Sequence, residues 1–237
     1  MTTWDSKKLW LKVKLFVDKA NEHSQSSPDF AFWTALSLEC LARSALTAIH
    51  PALNADPRDA ENLLFAFGYD LTASPRSLPA HSVYLRLEKT TKNFGKQQRE
   101  LCEFVALMRN AHLHTAELPY ENLAPSKWLP RYYETVQILN APMKKSMSGF
   151  LGPEIAKSAL QLIKTLNAKT IGTVKSKISA HTKVFEEKSD QEQKKLKDAA
   201  ALATFALRGG EVARRCPSCK ASGALTGGKS KGILGKI

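Results

Sequence analysis

A chain of 237 residues with 43% hydrophobic content can bury a real core, which excludes wholesale disorder. No apolar run approaches the roughly 18 residues needed to cross a bilayer, and the charged residues 1–14 lack the apolar core of a secretory signal, so a cytoplasmic protein without a membrane partner is expected. The formal charge of +13 is uneven: residues 1–140 hold 16 Lys and Arg against 15 Asp and Glu, whereas residues 141–237 hold 19 against 7. The basic C-terminal part points to a polyanionic partner, with nucleic acid first; the plainer alternative is a solvated lysine-rich helix.

The helical period begins at once. Residues 4–24 read as a helix with Trp10, Val13, Phe16 and Val17 on one side and Asp5 as N-cap. A second helix, 29–49, buries Phe32, Trp33, Leu36, Cys40 and Leu41 and stops before Pro51. On it Glu39 and Arg43 stand at i,i+4 with the acid first, the favourable order for a helical ion pair. Asp56-Pro57 reads as an N-cap and first-turn proline opening a short helix closed by Gly68. Residues 69–80, with Pro75 and Pro79, form a loop, and another helical segment spans 83–90.

The most regular amphipathic segment of the N-terminal half follows, over 96–115, with Leu101, Phe104, Val105 and Met108 as its buried stripe. Pro119, Pro125 and Pro130 mark a polar loop after it, and a helix over 127–140 has Trp128, Tyr132, Val136 and Leu139 on its apolar side. Strand alternation is absent, so the fold class is all-α: a helical bundle followed by long basic helices and a short glycine-rich tail.

Ten of the eleven prolines lie at or before Pro153, a composition switch that divides the chain into a bundle (1–150), a basic helical extension (151–210) and a tail (211–237). The extension reads as one long helix or a helical hairpin, with Leu160, Ile163, Leu166, Ile178, Val184 and Phe185 as sparse apolar contacts. The apolar run 199–207 should pack onto something. Cys40 and Cys102 lie in apolar helical patterns and read as reduced core residues. Cys216-Pro217-Ser218-Cys219 is different: two thiolates on a tight turn suit half of a tetrahedral structural zinc site. No further Cys or His follows Cys219, and His181 is the one histidine after His114. Either a second chain shares the site, or a zinc ribbon continues in a longer protein, or no zinc binds. The segment after Cys219 resembles the strand-and-turn part of a zinc ribbon, which suits the second.

The central helix ends on Arg109-Asn110-Ala111-His112-Leu113-His114, where a purely structural helix would prefer leucine. Arginine, a polar neighbour and a histidine five places on resembles the motif of the HEPN family of small helical proteins, many of them ribonucleases. Arg109, Asn110 and His114 carry the resemblance, which covers residues 1–150. On an ideal helix His112 continues the buried stripe and reads first as a core or interface histidine. Arg109 and His114 lie about 140° apart, so one straight helix does not aim both at one atom. The resemblance supplies an answer: HEPN domains pair, and both motifs line a cleft between the two copies.

What the resemblance further implies is metal-independent cleavage of RNA, in toxin, antiviral or RNA-processing biology. His114 would exchange a proton with the ribose 2′-hydroxyl or the leaving oxygen, Arg109 would hold the phosphate and Asn110 would orient the imidazole. Glu39 and His112 are secondary candidates, Glu39 because an acidic residue on this helix often accompanies the family's site. No cofactor is implied for catalysis; the expected partners are RNA and a second copy, with a protein partner or antitoxin besides. A different class of reading is a non-catalytic HEPN-like dimer that recruits RNA or protein, and a third is a scaffold associated with an antitoxin or effector.

Overall fold

A computed structural model describes residues 4–70, 74–205 and 212–225. The chain forms two compact units, Met1–Leu166 and Asn167–Ile237. Among the described residues the architecture is a helical bundle with one small C-terminal antiparallel hairpin. No described helix is long and apolar enough to cross a membrane.

In the first unit, α1 (Ser6–Asn21) starts where the Asp5 carboxylate accepts the Lys8 amide at 2.9 Å, so the acid satisfies an orphan donor of the first turn. Val13, Val17 and Ala20 are its buried stripe, at spacings of four and three. Against it lies α2 (Pro28–Ile49), opened by Ser27 and a first-turn proline. Leu38, Leu41, Ala42, Ala45 and Leu46 on α2 are almost completely buried, which makes this helix the axis of the core. Around it stand α4 (Ala80–Thr90), α5 (Lys96–His114) and α6 (Pro125–Asn140). These contribute Val83 and Leu87, Leu101 and Val105, and Val136 and Leu139 to one continuous cluster. The Tyr132 hydroxyl, buried in it, meets the Ser37 hydroxyl at 3.1 Å, so neither polar group is left unpaired.

Two sequence expectations are corrected here. Asp56 does not cap a helix: its carboxylate is taken by the Arg58 amide and guanidinium, and α3 (Ala60–Ala66) begins four residues after it, capped by Asp59. The proline-marked loop ends sooner than expected: α6 opens on Pro125, two residues before Lys127, with Pro130 inside it. A proline in the second turn forfeits a single helical bond, and the buried Trp128, Leu129 and Tyr132 around it hold the helix on course.

After α7 (Met147–Leu151), the helix α8 (Pro153–Glu186) starts in the first unit, where Ala156, Ala159 and Ile163 are buried, and its later turns belong to the second. The basic extension is thus two helices, α8 and α9 (Asp190–Phe205), with the acceptor Glu192 Oε2 meeting the Ser189 amide at 3.1 Å at the start of α9. Of the apolar contacts expected here, Ile163 is buried but Leu160 and Val184 are exposed. Ala206 and Leu207, the end of the apolar run, lie outside the described residues, as do Gly209, Gly210 and the glycine-rich residues 226–237. The hairpin pairs β1 (Val212–Arg215) with β2 (Ser222–Leu225), Arg215 facing Ser222.

Candidate functional site

The end of α5 meets the middle of α2 through an acid shared by two arginines. One Glu39 oxygen accepts from Arg43 Nε and Nη2 at 3.1 and 2.8 Å, the i,i+4 pair readable in the sequence. The other oxygen pairs with Arg109 Nη1 across the helix interface. The three side chains are only about one-sixth exposed, Glu39 at 15%, Arg43 at 16% and Arg109 at 17%. Arg43 is fixed further by donating from Nη1 to the Leu78 carbonyl at 2.9 Å. Arg109 donates from Nε and Nη2 to Asn110 Oδ1 at 3.2 and 2.7 Å. Burial pulls the Arg109 pKa below its ordinary value, with nearby Tyr120 opposing the shift.

A ring cluster sits beside this network. His112, one turn beyond Arg109, packs on Phe32 of α2 with centroids 5.0 Å apart and on Tyr120 at 5.4 Å. Phe32 and Tyr120 close the triangle at 6.3 Å. His112 is therefore half-buried among rings, as its place on the apolar stripe predicts. Tyr120, from the loop after α5, is buried with no hydrogen-bond partner for its hydroxyl, and that burial raises its pKa. No sequence signal marks it, since a lone tyrosine in a proline-marked loop carries no periodicity.

An unpaired buried hydroxyl disfavours the fold by about 1 kcal/mol or more. Tyr120→Phe is accordingly expected to leave the melting temperature unchanged or raise it by up to about 3 °C. A clear fall in a calorimetric or circular-dichroism melt would show that the hydroxyl has a partner in solution.

His114 stands apart from this network. It lies on the last turn of α5, exposed, with Thr115 as the cap beyond it. Asn110 is exposed too, and so is Leu107, at 68%. Leu107, Asn110 and His114 fall at i, i+3 and i+7, one outward stripe of the helix. Arg109 is thus joined to Glu39 and Asn110, while no described contact joins it to His114 within one chain.

In the second unit, Cys216 and Cys219 bracket the hairpin turn as free thiols. The Cys216 amide donates to the Ala221 carbonyl at 2.7 Å and the Lys220 amide to the Cys216 carbonyl at 3.0 Å, with Lys220 in the left-handed region at φ 60°. The amides of Cys219 and Ser218 point at the Cys216 sulfur and lower its pKa. Sulfur-directed amides of this kind favour thiolate, the metal-ligating form, so the turn fits half of a zinc donor set. Among the described residues no group of three His, Cys, Asp or Glu stands ready to hold one metal ion.

No family model matches this chain, and neither the curated proteins nor the solved structures include a match to it.

Proposed function

We propose that this protein is a metal-independent endoribonuclease of the HEPN type, acting as a homodimer in toxin, antiviral or RNA-processing biology. The observation that carries this reading is the split at the end of α5. Arg109 is braced at the core edge by Glu39, while Asn110 and His114 stand on an exposed stripe with Leu107. A second copy seated on that stripe would bring two Arg/His sets to one cleft, which a single regular helix does not do.

In that cleft His114 takes the proton from a ribose 2′-hydroxyl. The freed oxygen attacks the adjacent phosphorus, and the bond to the 5′-oxygen breaks as that oxygen gains a proton, from the same or the paired histidine. The products are a 2′,3′-cyclic phosphate and a 5′-hydroxyl. Arg109, held in place by Glu39, stabilises the added charge on the phosphoryl oxygens. DNA lacks the nucleophile and is not a substrate. Residues 167–237 hold 15 Lys and Arg against 6 Asp and Glu, a net +9, and supply salt-sensitive affinity for the RNA backbone.

A second reading rests on a specific observation: the described hydrogen bonds and ion pair of Arg109 run to Asn110 and Glu39 within its own chain, as a structural arginine's would. On that reading the chain is a non-catalytic dimeric module binding RNA or a protein. Incubating the purified chain with RNA in EDTA separates the two. Fragments ending in 2′,3′-cyclic phosphate support the nuclease; intact RNA with retained binding supports the module.

The dimer carries its own prediction. Sedimentation at micromolar concentration is expected to show a dimer, and Leu107→Glu, which sets two like charges at a symmetric contact, to give monomers with cleavage lost. A wild-type chain that is monomeric yet cleaves RNA would remove the composite site.

A further inference from the structure

The sequence leaves the cysteine pair half a site because its nearest histidine lies 35 residues upstream. Folding alters that. The later turns of α8 and the hairpin turn border an open cleft of about 490 Å³, and His181, Cys216 and Cys219 all line it, with Ile178, Phe185 and Lys177. The turn is fixed to this helix: the Ser218 hydroxyl donates to the Ile178 carbonyl at 3.2 Å. His181 is three residues beyond Ile178, hence on the same helix face one turn along. Sequence-distant donors thereby line one pocket inside the second unit, although as placed they do not form a ready group of three.

We propose that Cys216, Cys219 and His181 bind one zinc-class divalent cation, with His181 as the third protein ligand. The donor set favours this chemistry. Two thiolates and an imidazole suit zinc, whereas a hard cation such as magnesium or calcium wants oxygens, and no carboxylate lines the cleft. The charges balance: two thiols each release a proton, their sulfurs neutralise the dication, and the imidazole binds as the neutral base. The two thiols share a short turn whose backbone is already tied by the Cys216–Ala221 and Lys220–Cys216 bonds. The imidazole is the donor that moves. His181 is exposed, so its ring turns about its side-chain torsions to close on the sulfurs without disturbing a core. The fourth tetrahedral position is left to water or an external ligand. Lys177, the charged side chain on the same wall, is not a ligand.

The test uses the full chain, reduced and stripped of metal, titrated with cobalt(II) and then with zinc in competition. Wild type is expected to take one cobalt per chain, with thiolate-to-cobalt charge-transfer bands and the intense visible bands of a tetrahedral ion. Loss of an outer-sphere partner typically weakens a metal site about 10–100-fold, so His181→Ala, removing a direct ligand, is expected to weaken binding at least that much and to shift the visible bands. Cys216→Ser should remove the charge-transfer band at half or more of its intensity, and Lys177→Ala should leave affinity and spectrum as in wild type. Circular dichroism of His181→Ala checks that the helix persists. A His181→Ala spectrum and affinity identical to wild type would overturn the assignment of His181, and a wild-type chain that binds no cobalt would overturn the site. Cleavage of RNA in EDTA does not depend on this site, so each reading can fail without the other.

Discussion

His114→Ala is expected to reduce RNA cleavage by about two to four orders of magnitude while leaving the melting temperature where it is. The side chain is exposed on the last turn of α5, so its removal opens no cavity and breaks no described bond. Arg109→Ala is expected to lose cleavage on a similar scale, since one oxyanion-stabilising donor is worth about two to three orders of magnitude. It differs in its second effect: Arg109 pairs with a largely buried Glu39, so its loss lowers stability as well. His112→Ala should show the reverse order of effects. Its ring is packed between Phe32 and Tyr120, so the melting temperature falls first and activity follows. Paired melts and cleavage assays in EDTA on the three variants decide the matter. Normal cleavage by His114→Ala would end the nuclease reading, and activity lost at unchanged stability in His112→Ala alone would move the catalytic histidine two positions back.

Glu39→Ala is expected to destabilise the first unit by about 3 kcal/mol, the scale of breaking a buried pair by removing one partner. The carboxylate faces two guanidiniums, each mostly shielded from water, and neither finds another anion among its described contacts. Removing the acid leaves two buried cations repelling one another at the junction of α2 and α5. Glu39→Gln keeps the shape and the hydrogen-bond acceptor but not the charge, and should fall between wild type and alanine. Urea titrations with the slope held fixed measure the difference. A loss below about 1 kcal/mol would mean that the pairs are solvated and behave like surface ones. On the nuclease reading, the same variants also lower cleavage, because Arg109 is no longer held in one place.

How much of this could be read beforehand depended on the range of the interaction. The helices of the bundle were legible because Val13 and Val17, or Leu101, Val105 and Met108, repeat at the helical period within a few residues. The Glu39–Arg43 pair was legible for the same reason. Errors arose where two local rules competed: Asp56-Pro57 has the form of a cap, but Arg58 captures the carboxylate and leaves Asp59 to cap the helix. Pro125 reads as part of the loop, but a first-turn proline opens α6. What stayed hidden lay across long separations. Nothing in a linear pattern joins Glu39 to Arg109, brings Tyr120 onto His112, or returns His181 to the cysteines.

The acid shared between Arg43 and Arg109 has a consequence for how such a chain changes over generations. An exposed His114 can be exchanged at no folding penalty, whereas Arg109 is tied into the scaffold through Glu39. On the nuclease reading, drift toward an inactive copy would therefore shed the histidine early and retain the arginine and its acid long afterwards. Among descendants of this chain, a surviving Glu–Arg couple would testify to inherited architecture, and the histidine alone would report on retained chemistry.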